Sequence, residues 1–365
     1  MGMMEAIHVD LGKRAYDIIH GGEILSLLGT TLRGLGVSGK LAVLTNPKID
    51  RLHGMCLRDS LKEAGYRPMM IRIPAGERHK TLEQINRVYD RLISRNFERG
   101  DTLLAFGGGV IGDMCGFAAA TFLRGIAYVQ IPTTVVAQVD ASIGGKTGVD
   151  HPRGKNLIGA FHQPRLVYID PGVLNTLNKR EFKAGLAEIV KYGMISDTHF
   201  FAYLEKNSTA ILSRNPEKLA YCIQRSAEMK ASIVEADEQE SGLRKILNYG
   251  HTFGHAVETL TGYQRYKHGE AVSIGMIFAA RMAFAMGLID ATQVNRQTTL
   301  LKSLGLPTTI PKLDLQKVLK VMLSDKKVVG GEIYFVLPEK IGSVKVMPVS
   351  RKILKNLLQR TLNLT

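Results

Sequence analysis

A short segment in the second half of the chain collects residue types that bind divalent metals. Residues 244–270 contain His251, His255 and His268 together with Glu258 and Glu270. The first two histidines are four residues apart, so on a helix both project from one face. No glutamate follows the first histidine, which excludes the HExxH motif of zinc proteases.

Two histidines at this spacing are often ordinary surface or core residues. A third histidine close to them in the sequence favours metal binding instead. Zinc and similar ions are held by neutral imidazoles and a carboxylate, and a catalytic site leaves one position open for substrate. His268 lies in a short KHGE turn that can fold back onto the HxxxH pair. The segment therefore predicts a catalytic metal site.

A carboxylate and an ammonium group lie three residues apart in the segment AGLAEIVKYG, at Glu188 and Lys191. On a helix they share one face. A surface ion pair of this kind contributes only about 0–1 kcal/mol. Because apolar residues fill the adjoining positions, the pair lies in an apolar helix, where each charge needs a partner. This favours a functional role.

Two strand-like runs end in turns suited to phosphate. Gly107, Gly109 and Gly112 match GxGxxG between the run TLLAF and a potential helix, where the backbone can approach a pyrophosphate. The acidic residue expected about 20 positions later is missing, so this loop alone leaves nucleotide binding and an ordinary turn equally open. Glu77 and Lys80 follow another run, and a charged turn is the alternative there.

Residues 132–159 form the densest cluster of small and polar residues in the chain, PTTVVAQVDASIGGKTGVDHPRGKNLIG. Loops of this composition carry binding and catalytic residues. Lys146 and Lys155 can each contact a phosphate oxygen as a point charge. The polar candidates here are Asp140, Ser142, Lys146, Thr147, Lys155 and Asn156.

Composition limits the class of protein and its partners. The chain has 365 residues, 45% of them hydrophobic, and a formal net charge of +15. This length predicts two domains, because single cores stop growing near about 250–300 residues. The basic residues are spread along the chain without interleaved aromatics, so we expect no nucleic acid partner and interpret the charge as suited to anionic small substrates.

Cysteine content and the absence of long apolar runs predict a cytoplasmic protein. The three cysteines, Cys56, Cys115 and Cys222, show no CxxC spacing, which argues against a disulfide framework or a thiolate zinc site. The N-terminal residues have no apolar signal core, and no run approaches the ~18 apolar residues of a membrane span. We therefore expect no targeting segment and no membrane partner.

The hydrophobic pattern changes near Pro171. Before it, short apolar runs alternate with amphipathic stretches, including a helical pattern at 80–97, and the runs lie at 41–46, 69–74, 101–109, 126–132 and 165–170. After it, helical periodicity dominates until a hairpin-like stretch at 331–349 and a final helix. These patterns predict an α/β N-terminal nucleotide-binding domain with a mainly parallel sheet, residues 1–172, and a mostly α-helical metal-binding C-terminal domain, residues 173–365.

Several motifs resemble the 3-dehydroquinate synthase family, in order and over nearly the whole chain. They are GGGVIGD, PTTVVAQVDASIGGKTGVDHPRGKNLIGAF, AGLAEIVKYG, LNYGHTFGHAVE, KHGEAVSIGM and DKK at 325–327. The resemblance implies a sugar-phosphate cyclase of the shikimate pathway and aromatic amino acid biosynthesis. Such an enzyme converts 3-deoxy-D-arabino-heptulosonate 7-phosphate to 3-dehydroquinate and phosphate by transient NAD oxidation, phosphate elimination, reduction and an intramolecular aldol step. It uses NAD and a divalent metal, zinc or cobalt.

The same resemblance implies a role for individual residues. The metal ligands are Glu188, His251 and His268, whereas His255 is not a ligand and instead hydrogen-bonds near the substrate phosphate, which replaces the histidine pair favoured by spacing. Asp140, Lys191 and Asn248 orient hydroxyl groups near the metal. Lys230 and Arg244 hold the substrate carboxylate, and Lys146, Asn156 and Lys326 hold its phosphate. The NAD contacts are Asn46, Glu77, Lys80, Gly109, Val110, Gly112, Asp113, Thr133, Thr134, Lys146, Lys155 and Thr176.

Three alternatives remain at this level. A sister cyclase that makes an inosose or valiolone would share the NAD loop and metal ligands but lack a need for the carboxylate-binding cations Lys230 and Arg244. A metal-dependent polyol dehydrogenase would not need the phosphate cluster. A nucleic-acid-binding protein would show steep salt dependence. The family resemblance also implies a homodimer in which Arg124 reaches a neighbouring subunit.

Overall fold

The computed structural model describes residues 4–323, 328–329, 332–350, 353–356 and 358–359. The chain divides into two compact units, which we call unit 1 (residues 1–178 and 219–239) and unit 2 (residues 179–218 and 240–365). We predicted a single boundary at residue 172, whereas the first part of unit 1 ends at residue 178 and the segment 219–239 also belongs to unit 1. Helical periodicity identifies a helix in that segment but does not reveal which unit it packs against.

The strands and helices have the following bounds. The strands are β1 (Glu5–Val9), β2 (Tyr16–His20), β3 (Leu41–Thr45), β4 (Met69–Arg72), β5 (Thr102–Gly107), β6 (Ala127–Pro132), β7 (Lys146–His151), β8 (Gly154–Phe161), β9 (Leu166–Ile169), β10 (Val328–Val329), β11 (Glu332–Lys340) and β12 (Ser343–Val349). The helices are α1 (Leu28–Gly34), α2 (Pro47–Glu63), α3 (Leu82–Ser94), α4 (Gly109–Thr121), α5 (Lys179–Ser196), α6 (Thr198–Leu212), α7 (Pro216–Ala236), α8 (His251–Leu260), α9 (His268–Ala285), α10 (Ala291–Ser303) and α11 (Leu315–Leu323).

Unit 1 is built on a seven-stranded sheet with the order β1-β2-β9-β6-β5-β3-β4. Only the β1–β2 pair is antiparallel, and all other neighbours are parallel. The five apolar runs form β3, β4, β5, β6 and β9, and the predicted helix at 80–97 forms α3. The prediction of a mainly parallel α/β domain is therefore confirmed.

Side chains of the central strands alternate between two cores, one on each face of the sheet. Leu41 and Val43 pack with residues of α1 and α2, such as Leu57. Ala42 and Leu44 pack on the opposite face, with residues of α3 and α4. Strands covered on both faces read as continuous apolar runs, which explains why β3 and β5 are buried at every position.

The direction in which the chain adds strands to the sheet reverses between β3 and β5. These strands are neighbours, but β4 continues the sheet on one side and β6 on the other. Doubly wound sheets bind ligands at such a reversal of strand order. Asn46 directly follows β3, and α4 begins at Gly109 after β5, so two predicted NAD contacts flank this point.

Unit 2 is mainly helical, as predicted. Helices α5 and α9 are buried around much of their circumference, as expected for helices that are apolar on most sides. Strands β10, β11 and β12 form a small antiparallel sheet, which contains the predicted hairpin. Residues 353–356 and 358–359 are helical, in line with the predicted final helix.

No helix in the part of the chain that the structure describes combines the length and the apolar character needed to cross a membrane.

Candidate active site

Three helices of unit 2 bring the predicted metal ligands together. Glu188 lies on α5, whereas His251 and His268 are the first residues of α8 and α9. The Nε2 atoms of His251 and His268 lie 3.6 and 3.5 Å from the same carboxylate oxygen of Glu188. One potential ligand atom from each residue lies within 4.8 Å of the others. The predicted set is thus spatially compact, although its role as a ligand set stays a prediction.

Glycines allow these helices to approach closely. A Cβ atom at Gly269, on α9, would lie 1.8 Å from the backbone oxygen of Ala184 on α5. A Cβ atom at Gly275, also on α9, would lie 1.8 Å from the backbone oxygen of Gly250, the residue before α8. Real Cβ atoms do not occupy such positions, so α9 needs glycine at both contacts. We did not predict these packing residues, because a glycine in a helix carries no sign of what it faces.

The start of α9 is held in place by a charged clamp. Arg180, on α5, donates two hydrogen bonds of 2.7 Å to the two carboxylate oxygens of Glu270. The same guanidinium donates to the backbone oxygen of Arg265 at 2.6 Å, and Glu270 accepts from the backbone N–H of Lys267 at 2.9 Å. Bidentate arginine–carboxylate pairs fix geometry well. The clamp therefore fixes the backbone next to His268.

The protonation of the two histidines differs, because their surroundings differ. Burial lowers the pKa of His251 well below its usual range, although Glu188 acts in the opposite direction. Burial also acts to lower the pKa of His268, but hydrogen bonds with Glu188 and Glu258 outweigh it and raise the pKa to about 10. Metal binding requires neutral imidazoles, so an ion would displace a proton from His268.

The donor set fits a zinc- or cobalt-type ion. Two imidazole nitrogens converge on one carboxylate oxygen, and divalent ions of intermediate softness prefer such nitrogen and oxygen ligands. Three protein ligands leave a fourth position for substrate or water. A catalytic rather than a purely structural ion is therefore the better match for this cluster.

His255 belongs to a different group from His251. The three histidine rings are neighbours, with centroids 5.3 to 6.2 Å apart. Among the described residues, however, the groups able to hold an ion combine Glu188 with His251 and His268, or His255 with Glu258 and His268. The two histidines of HxxxH do not appear together in either group, whereas the set implied by the resemblance forms one of them; which residues bind an ion stays a prediction.

Further polar residues of unit 2 adjoin this cluster in sequence. The Nζ atom of Lys191 lies 2.5 Å from Glu188, and both side chains are at least 99% buried. Arg244 is buried as well. Asn248 donates a 2.8 Å hydrogen bond to Glu240, a residue that we did not predict. Glu240 has a positive φ of 58°, a conformation that is uncommon outside glycine. The neighbouring residues in the sequence do not predict this conformation.

In unit 1, Lys80 contacts two other predicted site residues. Its ammonium group lies 2.5 Å from Asp113 and also donates to Asn156. Burial acts to lower the pKa of Lys80, but Asp113 and Glu77 outweigh it and raise the pKa, so the side chain stays charged. Lys155 lies 3.8 Å from Glu77. These cations are paired with carboxylates of unit 1 that come from other elements.

The glycine-rich loop has the geometry expected for phosphate. Gly108 is the N-cap residue of α4, so backbone N–H groups at the start of that helix point outward. A Cβ atom at Gly112 would lie 2.8 Å from Gln130 on β6, which explains the third glycine as a close contact between helix and strand. The Thr133 hydroxyl is buried and has no hydrogen-bond partner among the described residues.

Asp140 lies in a single turn of π-helix, Ala137–Ala141, a rare conformation that occurs frequently at functional sites. Its carboxylate lies 2.6 Å from the ammonium group of Lys230. Lys230 belongs to the segment 219–239 that packs in unit 1. The predicted hydroxyl-orienting residue and the predicted carboxylate-binding residue are thus directly paired.

The remaining predicted residues lie in several different helices, strands and turns. Asn46 caps α2 by accepting from the Ile49 N–H, and the Thr176 hydroxyl lies 2.7 Å from the ring of His53. Arg124 has a positive φ of 66°. Val110, Thr134 and Lys146 lie in the first turn of α4, after β6 and at the start of β7. Lys326 lies outside the described residues.

Comparisons with known proteins cover nearly the whole chain. Family models described as 3-dehydroquinate synthase N-terminal and 3-dehydroquinate synthase C-terminal match residues 70–184 and 185–328. A 3-dehydroquinate synthase from Pelobacter propionicus is 50% identical over 344 residues, which span 94% of this chain and 96% of that protein.

Solved structures of two cyclases have the same fold. A 2-epi-5-epi-valiolone synthase from Streptomyces hygroscopicus subsp. jinggangensis, with NAD+ and Zn2+ bound, has a TM-score of 0.88 and 27% identity, covering 96% of this chain and 97% of that one. A 2-deoxy-scyllo-inosose synthase with carbaglucose-6-phosphate, NAD+ and Co2+ has a TM-score of 0.85 and 25% identity, covering 98% and 100%. Since the family models together match well over half of the residues, this chain belongs to the 3-dehydroquinate synthase family.

Proposed function

We propose that this protein converts 3-deoxy-D-arabino-heptulosonate 7-phosphate to 3-dehydroquinate and inorganic phosphate, with NAD and a divalent metal, zinc or cobalt, as cofactors. Bound NAD would accept a hydride from C5 of the substrate and later return it, while the bound ion would polarise the neighbouring hydroxyl groups. In each unit, side chains would bind the substrate or a cofactor during these steps.

Unit 2 would hold the ion and the hydroxyl groups next to it. Glu188, His251 and His268 would be the ligands, and their close arrangement around one oxygen supports this role. Lys191, buried beside Glu188, would donate a hydrogen bond to a substrate hydroxyl, as would Asn248. Such fixed donors need no reorganisation during reaction.

Arg244 and His255 would contact the anionic groups of the substrate. A buried guanidinium presents a planar pair of donors that matches a carboxylate, which suits Arg244 to that role. His255, in the first turn and a half of α8, would hydrogen-bond near the phosphate.

Unit 1 would bind NAD and stabilise the departing phosphate. The N-terminus of α4 and the paired Lys80 would bind the cofactor. Lys146 and Asn156 would hold the phosphate, where cationic and amide donors stabilise the charge that develops as the C–O bond breaks. Lys230 would exchange Asp140 for the substrate carboxylate, and Asp140 would then be able to accept a hydrogen bond from a hydroxyl group.

The level of sequence identity supports the 3-dehydroquinate synthase reaction over the reactions of the sister cyclases. The NAD- and metal-containing cyclases of known structure are only 25–27% identical to this chain, whereas the 3-dehydroquinate synthase from Pelobacter propionicus is 50% identical over nearly full length. The presence of Lys230 and Arg244 supports the same choice, because a substrate with a carboxylate needs cations to bind it.

The proposal is tested with purified protein, zinc or cobalt, a catalytic amount of NAD and the heptulosonate phosphate. Phosphate release is followed together with absorbance of NADH. We expect stoichiometric phosphate without net NADH, and loss of both phosphate release and product after chelation of the metal.

Two other results would contradict the proposal. Steady accumulation of NADH would indicate a polyol dehydrogenase. Turnover of a sugar phosphate that has no carboxylate, with none of the heptulosonate phosphate, would indicate a sister cyclase, the class to which the two solved structures belong.

We also propose that the protein acts as a homodimer in the cytoplasm. The resemblance supports the dimer, with Arg124 acting on a neighbouring subunit, and the three cysteines, which are all free thiols, are compatible with a reducing compartment. Sedimentation at micromolar concentration gives the oligomeric state, and a monomer there would contradict the proposed role of Arg124.

A further inference from the structure

Glu258 lies between two histidines without being one of the proposed metal ligands. It is on α8, one turn after His255, and only 5% of its surface is exposed. One of its carboxylate oxygens lies 3.4 Å from Nδ1 of His268. The other nitrogen of that ring, Nε2, lies 3.5 Å from Glu188. The two nitrogens of His268 therefore face two different carboxylates.

The second histidine of the proposed ligand set has an equivalent arrangement. Nδ1 of His251 lies 3.1 Å from the backbone oxygen of Tyr249, whereas its Nε2 lies 3.6 Å from Glu188. Both rings thus direct Nε2 to the same oxygen and have an acceptor at Nδ1. For His251 the acceptor is part of the backbone, and for His268 it is a side chain.

An acceptor at Nδ1 determines what the opposite nitrogen can do. A neutral imidazole carries one proton, and a hydrogen bond from Nδ1–H to an oxygen places the lone pair on Nε2. Metal-binding histidines commonly donate their second N–H to a carboxylate or carbonyl, which fixes the ring and increases its basicity. A buried carboxylate also requires a partner, so Glu258 and His268 satisfy one another.

We propose that Glu258 is a positioning residue for the metal site: it accepts a hydrogen bond from Nδ1–H of His268, so that when an ion binds, the proton stays on Nδ1 and the Nε2 lone pair on the side of Glu188 and His251 is available to the ion. The proposal rests on the proposed function in so far as this cluster binds a divalent ion. It assigns Glu258 no contact with the substrate or the ion.

A different arrangement would place a second ion among His255, Glu258 and His268, whose potential ligand atoms also lie within 4.8 Å of one another. His268 would then have to bind one ion through each nitrogen and lose its remaining ring proton. The observed contact between Glu258 and Nδ1 has hydrogen-bond geometry and uses a proton that a neutral imidazole already has. The single-ion arrangement is therefore favoured, and metal stoichiometry tests it.

The experiment compares zinc affinity in the wild type, Glu258→Leu and Glu258→Asp by competition with a chromophoric chelator, without substrate. We expect one zinc ion per chain in the wild type and in Glu258→Leu, with affinity lowered about 10- to 100-fold in that variant because leucine offers Nδ1–H no acceptor. The visible spectrum of bound Co2+ should change as well, because the orientation of one ligand is less well fixed.

Glu205→Leu is the matched control. Glu205 is a carboxylate of unit 2 that pairs with Arg296 at 2.6 Å, and it does not belong to either group of potential metal-binding residues. The substitution makes the same change of charge and breaks an ion pair, so it accounts for any general loss of stability. Its zinc affinity should equal that of the wild type.

Unchanged zinc affinity in Glu258→Leu would overturn the proposal, as would two ions in the wild type with one lost in the variant. If Glu258→Leu fails to fold, Glu258→Asp decides, since its side chain is one methylene shorter and cannot keep the contact; wild-type affinity in that variant overturns the proposal. A wild type that binds zinc with this dependence on Glu258 but does not turn over the heptulosonate phosphate would contradict only the proposed function.

Discussion

Unit 1 and unit 2 both bury charged side chains, but two lysine pairs of unit 1 and the Glu188 cluster of unit 2 differ in arrangement. In unit 1, Lys80 pairs with Asp113, and Lys230 pairs with Asp140. In the proposed function, an anionic group of a ligand would replace the carboxylate partner of such a cation. In unit 2 the carboxylate of Glu188 faces an ammonium group and two imidazoles. Its converging nitrogen and oxygen atoms suit a cation.

The arrangement of the charged groups, more than their type, therefore distinguishes a site suited to an anion from a site suited to a cation. Lysine and carboxylate side chains occur in both places. Imidazoles that share one oxygen occur in the proposed metal cluster, and helices held together by glycine contacts keep them there. Changes confined to the lysine pairs or to the Glu188 cluster should therefore affect one class of ligand and leave the other class unchanged.

The largest effect is expected from His251→Ala. Loss of one of three ligands should abolish tight zinc binding and lower activity by about 1,000-fold, corresponding to several kcal/mol of transition-state stabilisation. NAD affinity, measured on the same preparation, should not change. The control is His199→Ala, which removes an exposed histidine of unit 2. Retention of one tightly bound zinc ion in His251→Ala would contradict the ligand assignment.

A large effect on stability is expected from Gly269→Ala, because the added Cβ atom would lie 1.8 Å from the backbone of α5. Helix α9 must move, and overpacking of this kind costs about 1–3 kcal/mol or more. Zinc affinity should fall with the free energy of unfolding, both measured by standard titrations.

Gly34→Ala is the matched substitution in unit 1. Gly34 ends α1, and no atom lies within 4 Å of a Cβ placed there. Replacement should be neutral or slightly stabilising, since alanine restricts the unfolded chain more than glycine does. Equal effects of the two substitutions would show that the glycine contacts of α9 do not hold the cluster together.

A smaller effect is expected from Lys80→Met, and it should concern NAD binding and not zinc binding. Loss of its charge-assisted hydrogen bonds should weaken NAD binding about 10- to 100-fold, while zinc content stays at the wild-type level. Lys62→Met, at an exposed position on α2, should leave both unchanged. Reduced zinc content in Lys80→Met would contradict the independence of the Lys80 pair and the Glu188 cluster.

The smallest effect concerns a buried histidine of unit 1. Burial lowers the pKa of His20 below its ordinary value of 6.5, and its Nε2 has no hydrogen-bond partner within the described residues. The unfolded chain therefore binds a proton that the folded chain does not, so stability falls as pH falls below 6.5, by at most about 1.4 kcal/mol per pH unit. His20→Gln should make the free energy of unfolding less dependent on pH between 7.5 and 5.

His8, on the neighbouring strand, provides a control of opposite sign. A hydrogen bond to Asp17 raises its pKa, so its contribution to stability is present below its unfolded pKa and disappears as pH rises through the folded value. His8→Gln should therefore lose stability only on the acidic side. A steeper pH dependence in His20→Gln than in the wild type would contradict the assigned cause.

The elements that position the site were largely predictable from local pattern. Three kinds of pattern involve residues close together in the chain: the apolar runs, the glycine-rich loop and the HxxxH spacing. The structure contains the corresponding β-strands, the α4 N-terminus and the start of α8. The placement of the segment 219–239 in unit 1 was not predicted, because long-range packing decides it.

Sequence alone determined the fold class, the family resemblance and the residue types available for chemistry, since periodicity and motif spacing are local properties of the chain. Only the tertiary structure decided which of these residues meet. Glu188 joins His251 and His268 from three separate helices, with glycines setting the distance between helices. Glu258 faces the far side of His268 for the same reason: contacts between helices depend on packing that no local pattern encodes.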